Sequence, residues 1–165
     1  MLEPHLATLP LPVRGRDRNK EPVADENGNQ VLRPASIYLG SMPPTFNEAY
    51  SAAPFVVLQV MDGHDDQYGI QNVRVGIRLC IVSDDLEEAE NDLQNLISLI
   101  RLNLLALPQG ALGKGHFRLS PFVEGGSRVP FERPDEQAHP FLQAHIFTQW
   151  QTIGARQRPC PAEYW

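Results

Sequence analysis

The alternation of apolar and polar residues is most regular between positions 73 and 81, where the chain reads VRVGIRLCI. Apolar residues occupy every second position, which is the period of a β-strand, because successive side chains of a strand point to opposite faces of its sheet. The pattern predicts a strand over residues 72–82. One face of this strand is aliphatic, whereas the other presents Arg74 and Arg78.

A second strand is predicted at residues 55–60, which read FVVLQV and are rich in β-branched side chains. Pro54 precedes this run and the turn-forming residues 62–66 follow it, so it favours a central strand paired antiparallel with residues 72–82. The polar sequence DGHDDQYGIQ between the two strands predicts an open hairpin loop, because it is too long for a two-residue turn.

Two further strands are predicted in the second half of the chain. Residues 142–150 alternate between apolar and polar side chains, which indicates an amphipathic strand. Residues 117–123 alternate weakly and contain Pro121, whose ring removes an amide donor, so this segment is limited to an edge or a bulged strand.

A helix is predicted to begin after the sequence Ser83-Asp84-Asp85, because Asp85 and Glu88 have the spacing of a capping box. Acidic residues cluster where the first-turn amides point, at Asp84, Asp85, Glu87, Glu88 and Glu90. Apolar residues then recur at steps of three and four, at Leu86, Ala89, Leu93, Leu96, Ile97, Ile100, Leu104 and Leu107. Pro108 and Gly110 end the pattern.

The C-terminal half of this helix is apolar over more than half of its circumference, because Leu99, Leu102 and Leu105 widen the stripe. Such a helix is expected to pack on a sheet on one side and on a second partner on the other. A neighbouring subunit is one such partner.

The first third of the chain has a different texture, since eight of the fifteen prolines fall within the first 54 residues. Proline interrupts helices and removes sheet donors, so this region is predicted to be extended, with a small hairpin at Asn27-Gly28. The domains are therefore an N-terminal arm and hairpin at 1–34, a domain at 35–152 and a tail at 153–165. The fold class is α+β, with a mostly antiparallel sheet packed against one long helix.

Composition narrows the classes of function. The chain has 165 residues, a formal net charge of −6 and a pI near 5.3, which disfavours a module that grips nucleic-acid phosphates. Its two cysteines lie too far apart for a CxxC motif and are too few for a disulfide scaffold. Neither a signal-peptide core nor an apolar run of about 20 residues occurs, so a soluble, non-secreted protein is expected.

Candidate chemistry is sparse, and we expect no catalytic, cofactor-binding or metal-binding residues. His64, Asp65 and Asp66 lie in one predicted loop, where aspartates commonly satisfy backbone amides, although a small metal-dependent enzyme using these three residues stays an alternative. The glycines of QGALGKGHF follow a helix instead of preceding one, which excludes a phosphate loop. Trp150, Tyr164 and Trp165 lack the interleaved basic residues of a base-stacking surface and favour packing or a subunit contact.

The order of these segments resembles the tail terminator, or tail completion, proteins of tailed bacteriophages and prophages. The resemblance covers residues 35–152 and is carried by IYLGSMPP at 37–44, APFVVL at 53–58, the strand VRVGIRLCI with its acidic turn and leucine-rich helix, and Pro140-Phe141 before the strand that ends at Trp150. It implies a virion protein of the tail and neck, assembled in the host cytoplasm, that closes into a ring of typically six copies.

Such a ring stops polymerisation of the tail tube and joins the tail to the head. The implied partners are other copies of the chain, the tail tube protein and the head connector or stopper protein, while DNA passes through without specific binding. A different neck component, such as a head completion or stopper protein, is the alternative within the same class.

Several residues are predicted to take part in these contacts. Arg74 and Arg78 are expected either to keep an exposed sheet face soluble, or to pair with an acidic surface of a neighbouring subunit or of the tube protein. Contact between these arginines and passing DNA ranks below that pairing. The arm cations Arg14, Arg16 and Arg18 form a solvated arm or dock on a neighbour. The full set of predicted interface residues is Arg14, Arg16, Arg18, Arg74, Arg78, Asp84, Asp85, Glu87, Glu88, Leu99 and Leu102.

Overall fold

A computed structural model of the chain describes eleven segments, namely residues 11–12, 26–27, 29, 31–41, 53–66, 70–83, 85–107, 111–112, 117–120, 128–137 and 140–153. Nine strands and one helix lie within these segments: β1 Leu11–Pro12, β2 Leu32–Arg33, β3 Ser36–Leu39, β4 Phe55–Asp65, β5 Ile70–Val82, α1 Leu86–Leu105, β6 Ala111–Leu112, β7 Phe117–Leu119, β8 Phe131–Glu132 and β9 Phe141–Ile153.

Seven of the strands form one mixed sheet in the order β3-β4-β5-β9-β7-β6, and β8 also pairs with β9. β3 runs parallel to β4, whereas the other described neighbours in this sheet are antiparallel. β5 and β9 pair along all 13 residues of each strand. β1 and β2 form a separate two-stranded sheet. The α+β class is confirmed, and the parallel edge strand β3 is an addition to it.

The hairpin between β4 and β5 is longer than the sequence indicates. β4 continues to Asp65 and β5 begins at Ile70, so the prediction of an open loop over residues 62–71 is wrong. Asp66 closes the turn, because its N–H donates to the Ile70 carbonyl at 2.8 Å and its Oδ1 accepts from the Ile70 N–H at 2.9 Å. Polar residues extend the strands here because a solvated sheet face needs no apolar side chains.

One face of the sheet packs against α1, and we call it the helix face. The aliphatic side of β5 lies here, with Ile77, Leu79 and Ile81 buried. Leu142, Ala144 and Ile146 of β9 are buried on the same face. α1 lies mainly on β5 and β9, the two longest strands. Burial of these side chains away from water is the main favourable contribution to folding.

α1 has the boundaries that its sequence predicts to within two residues. Asp85 is the N-cap, and its Oδ1 accepts from the Glu87 and Glu88 amides at 3.0 and 3.2 Å. The buried stripe is confirmed between Ala89 and Leu104. Leu86 departs from it with 53% of its surface exposed, since it lies at the first position of the helix.

The other face of the sheet, which we call the opposite face, is apolar at one end. Cys80 and Val82 of β5 are buried there with residues of β4 and β9, in a cluster of Ala53, Phe55, Val57, Cys80, Val82 and Phe141. Tyr38 of β3 packs on this cluster and meets the Phe55 ring edge-on, with 5.8 Å between the ring centroids. The polar half of VRVGIRLCI is therefore polar only as far as Arg78.

The remaining predictions fall partly outside the described residues. Glu26 and Asn27 lie in a turn, while residues 22–24 of the predicted hairpin, the arm residues 13–20 and the tail residues 154–165 are not described. β7 covers the first part of the predicted strand at 117–123, but it pairs with β9 on one side and with β6 on the other, so the prediction of an edge strand is wrong. β9 contains all of the predicted strand at 142–150. Within the described segments, no helix is long and apolar enough to cross a membrane.

The packing of α1 gives a stability prediction based on two leucines. Leu93 is fully buried against the sheet, so Leu93→Ala should lower the free energy of unfolding by about 2–5 kcal/mol through lost burial and a residual cavity. The matched control Leu86→Ala removes the same atoms from a half-exposed position and should cost less than about 1 kcal/mol. Urea unfolding followed by circular dichroism measures both, and equal losses would contradict this packing.

Candidate interaction surfaces

A β-bulge in β4 determines which side chains reach the opposite face beyond the apolar cluster. Val60 lies opposite Val75, but Asp62 lies opposite Arg74, so one extra residue is inserted between the two pairs. Without that insertion Asp62 would point to the helix face. Met61 is the extra residue, and its sulfur lies so close to Gly76 that a Cβ there would be 3.1 Å from Sδ.

The bulge creates a polar cluster at the hairpin end of the opposite face. Arg74 donates from Nε and Nη2 to Asp62 Oδ2, and Gln151 Nε2 donates to Asn72 Oδ1 at 3.1 Å. A shallow cavity of about 240 Å³ lies at this place and is lined by Asp62, His64, Asn72, Arg74 and Gln149. Amide, carboxylate and guanidinium groups in one place can form hydrogen bonds with a polar surface. They include no nucleophile held by a base, as covalent catalysis requires.

The three residues of the alternative enzyme hypothesis do not converge. His64 points to the opposite face with Asn72, whereas Asp65 is its neighbour along the strand and points to the other face. Asp66 accepts from the Ile70 amide in the hairpin turn, which is the structural role predicted for an aspartate in this segment. Among the residues that the structure describes, no three His, Cys, Asp or Glu side chains come together as a metal site would require.

Arg74 and Arg78 share the opposite face but differ in their partners. Arg74 is held by Asp62. The Arg78 side chain is exposed between Val57 and His145, and its guanidinium makes no hydrogen bond or ion pair within the described segments. His145 lies beside a different acidic residue, because its Nδ1 is 3.6 Å from Glu132 Oε1. Of the predicted arginine ladder, Arg78 is thus the member whose guanidinium stays available to a partner.

The acidic residues at the start of α1 also divide by role. Asp85 caps the helix with its carboxylate, so its position is explained within the chain. Glu87 and Glu88 are both exposed in the first turn of the helix. Asp84 and the three arm arginines, Arg14, Arg16 and Arg18, lie outside the described residues.

The two predicted interface leucines of α1 lie on different sides of the helix. Leu99 is half-buried and packs against the core. Leu102 has 66% of its surface exposed and lies nine residues after the buried Leu93, which at about 100° per residue places it on the outer side of the helix. Leu105 is 40% exposed beside it. The widened apolar stripe therefore continues onto the solvent side.

A second apolar surface was not predicted and lies on the helix face at β3 and β4. Leu39 is 79% exposed and Val60 is 68% exposed, and their strand pairing places both on the face that carries Leu58. We call Ile37, Leu39, Leu58, Val60 and Val75 the β3–β4 surface. Its sequence signal was the apolar residue Val60 at the end of FVVLQV. The absence of a predicted β3 left no strand on which to place Leu39.

Two exposed phenylalanines lie on the far side of β9 in the same sheet. Phe131 of β8 and Phe117 of β7 are each exposed by about two fifths and lie opposite Ile146 and Thr152 of β9, and we call these two separate positions the β7–β8 surface. The Arg101 guanidinium of α1 stacks 5.0 Å from the centre of the Phe131 ring, and its Nε donates to the Val129 carbonyl at 2.9 Å. Arg133 also pairs with Glu90 of α1, so this edge is tied to the helix.

Two remaining groups have structural roles. Trp150 is half-buried against the core and donates from Nε1 to Thr148 Oγ1 at 2.9 Å, as packing predicts. Burial in the apolar cluster raises the pKa of the Cys80 thiol to about 12, so this cysteine is neutral and unreactive at neutral pH.

No protein-family model matches the chain, and no curated protein shows significant similarity to it. Its function is therefore inferred from the surfaces described above.

The N-cap of α1 gives a prediction about the stability of the fold. Asp85→Ala removes the acceptor of two helix amides and should lower the free energy of unfolding by about 1 kcal/mol, whereas Asp85→Ser should retain most of it. Glu87→Ala is the control, because its carboxylate is exposed and accepts no capping bond in the described residues. Thermal unfolding measures all three variants. A larger loss for Glu87→Ala than for Asp85→Ala would contradict the cap.

Proposed function

We propose that this chain is a structural virion protein, a bacteriophage tail terminator whose copies form a ring, typically of six, at the end of the tail tube. The ring stops polymerisation of the tube protein and presents a surface to the head connector or stopper protein. In this proposal the chain is not an enzyme and needs no cofactor, and its place is the tail and neck of the particle. The segments at residues 35–152 that resemble this family are the first support.

The observation that carries the proposal is that unlike apolar surfaces lie in separate parts of one sheet. The β3–β4 surface is at one edge and the β7–β8 surface is on the far side of β9, with the exposed leucines of α1 between them. Exposed apolar surface commonly marks a site of protein contact. When the two sides of a contact differ, copies join head to tail, and such an arrangement closes into a ring if the rotation between copies permits it.

Charge supports the same arrangement. Arg78 is exposed on the opposite face, while Glu87 and Glu88 are exposed on the outer side of α1. The Arg78 guanidinium and these two carboxylates therefore lie on opposite sides of the protomer. In the proposed assembly Arg78 pairs with an acidic surface, either the start of α1 in an adjacent copy or the rim of the tube protein, and fixes the rotational register of the contact.

Loss of the protein provides the direct test. Particles produced without this gene should contain tail tubes of uncontrolled length, or tails that fail to join filled heads, because no ring caps the tube. Negative-stain electron microscopy measures tail length and the fraction of joined heads, and expression of the chain from a plasmid is the control. Native mass spectrometry of the full chain should show a closed oligomer. Normal particles together with a chain that stays monomeric would contradict the proposal.

Charge reversal tests the role of Arg78. Arg78→Glu should weaken assembly about tenfold or more, since a charge-assisted hydrogen bond contributes about 1.5–3 kcal/mol. Arg118→Glu is the matched control, because Arg118 is also exposed but lies in β7 beside Gln151, whereas Arg78 lies beside His145. Rescue by Glu87→Arg would identify the adjacent copy as the partner, whereas a loss without rescue would identify the tube protein. Unchanged rings and a normal frequency of joined heads would show that Arg78 has no assembly role.

A further inference from the structure

No element of the described segments covers Leu39 and Val60 of the β3–β4 surface, and the apolar residues exposed elsewhere in these segments indicate what covers them in an assembly. We infer that this surface receives the C-terminal end of α1 from a second copy of the chain. The inference rests on the ring proposed above and deepens it, because it specifies which two parts of neighbouring copies meet.

The width of the sheet leaves space for a second helical element. A helix with its side chains is about 10 Å across and strands lie about 4.8 Å apart, so one helix covers about two strands. α1 lies mainly on β5 and β9. Along β4 the helix-face side chains change from buried at Val56 to half-buried at Leu58 and exposed at Val60. Within the described segments, no helix therefore covers the helix face at the hairpin end of β4 and the adjoining part of β3.

The chemistry of this position selects an uncharged, apolar occupant. The five side chains of the β3–β4 surface are all aliphatic. The bulge after Val60 turns Asp62 to the opposite face, where Arg74 holds it, so the helix face of β4 continues from Val60 to Gly63 and carries its next charge only at Asp65, at the end of the strand. A charged segment placed here would lose its hydration without gaining a partner, which is unfavourable.

The C-terminal end of α1 has the complementary character. Residues 102–107 read LNLLAL and contain no charged side chain, and Leu102 and Leu105 are exposed. The outer side of the same helix nearer its start is polar instead, with exposed Glu87, Asn91, Gln94 and Ser98. After Leu86 at its first position, the end that includes Leu102 is therefore the part of the described helix where exposed residues are apolar.

The contact must form between copies and cannot form within one. The buried stripe holds α1 on β5 and β9, and Leu102 lies on the side of the helix away from that stripe. A helix end that enters a sheet position on the next copy is a contact between unlike surfaces. In the proposed ring each copy gives its helix end to one neighbour and receives the helix end of the other, so the contact propagates head to tail.

Cysteine cross-linking of the full chain tests this pairing. In a Cys160→Ser background, Leu39→Cys and Leu102→Cys are purified separately and mixed under conditions in which the background protein forms rings by native mass spectrometry, and are then oxidised with copper phenanthroline. Cys80 stays unreactive because it is buried. We expect the mixture to exceed either variant alone in cross-linked dimer by more than about tenfold, since contact raises the effective concentration of the two thiols.

Gln94→Cys provides the matched control, because it lies on the same outer side of α1 in the polar part and should not cross-link to Leu39→Cys. A Leu39→Cys homodimer forming alone, or equal yields with Gln94→Cys, would overturn the inference. Intact rings without a cross-link in the mixture would also overturn it while leaving the proposed function in place. If the background protein forms no oligomer at any concentration, alone or with tail tubes, the proposed function fails together with the inference.

Discussion

The structure depends on a mismatch between the width of its sheet and the helix available to cover it. A single helix can bury the helix face of about two strands, and α1 uses this capacity on β5 and β9, which pair along their full lengths. That contact contains most of the large buried side chains. Its position also determines what stays exposed, because β3 and the hairpin end of β4 extend beyond its cover on one side, whereas Arg101 and Glu90 of α1 contact Phe131 and Arg133 on the other. The exposed apolar residues of β3 and β4 are a consequence of where the helix lies.

The opposite face is controlled by a smaller feature, the extra residue in β4. Up to Val60 the strand alternates so that apolar side chains reach both faces, and after the bulge Asp62 and His64 join Arg74 and Asn72 on one side. The same insertion pairs Asp62 with Arg74 on the opposite face, so the helix face of β4 carries its next charge after Val60 only at Asp65. One inserted residue thus removes Asp62 from the β3–β4 surface.

The sequence predicts the parts of this fold whose signal is local. The period-two pattern of β5, the apolar run of β4 and the capped stripe of α1 each follow from neighbouring residues, and all three are present. β3 is not predicted because its partner β4 lies beyond residues 42–52. The extension of the hairpin is not predicted because residues 62–65 read DGHD and have no apolar side chain, as a solvated sheet face permits. Pro34 precedes β3, and Pro43 and Pro44 follow it. Prolines near a short strand favour irregular structure, so the sequence does not predict β3.

The same limit applies to the interface residues. Sequence alone treats Arg74 and Arg78 as equivalent members of one ladder, and it treats Asp85 and Glu87 as members of one acidic cluster. The structure separates them, because Arg74 and Asp85 have partners within the chain, while Arg78 and Glu87 are exposed. In the proposed ring Arg78 can serve a partner without giving up an ion pair within the described residues of its own chain. Apolar contacts at the sheet edges would then supply affinity, and the remaining charges would supply the orientation that closure of this ring needs.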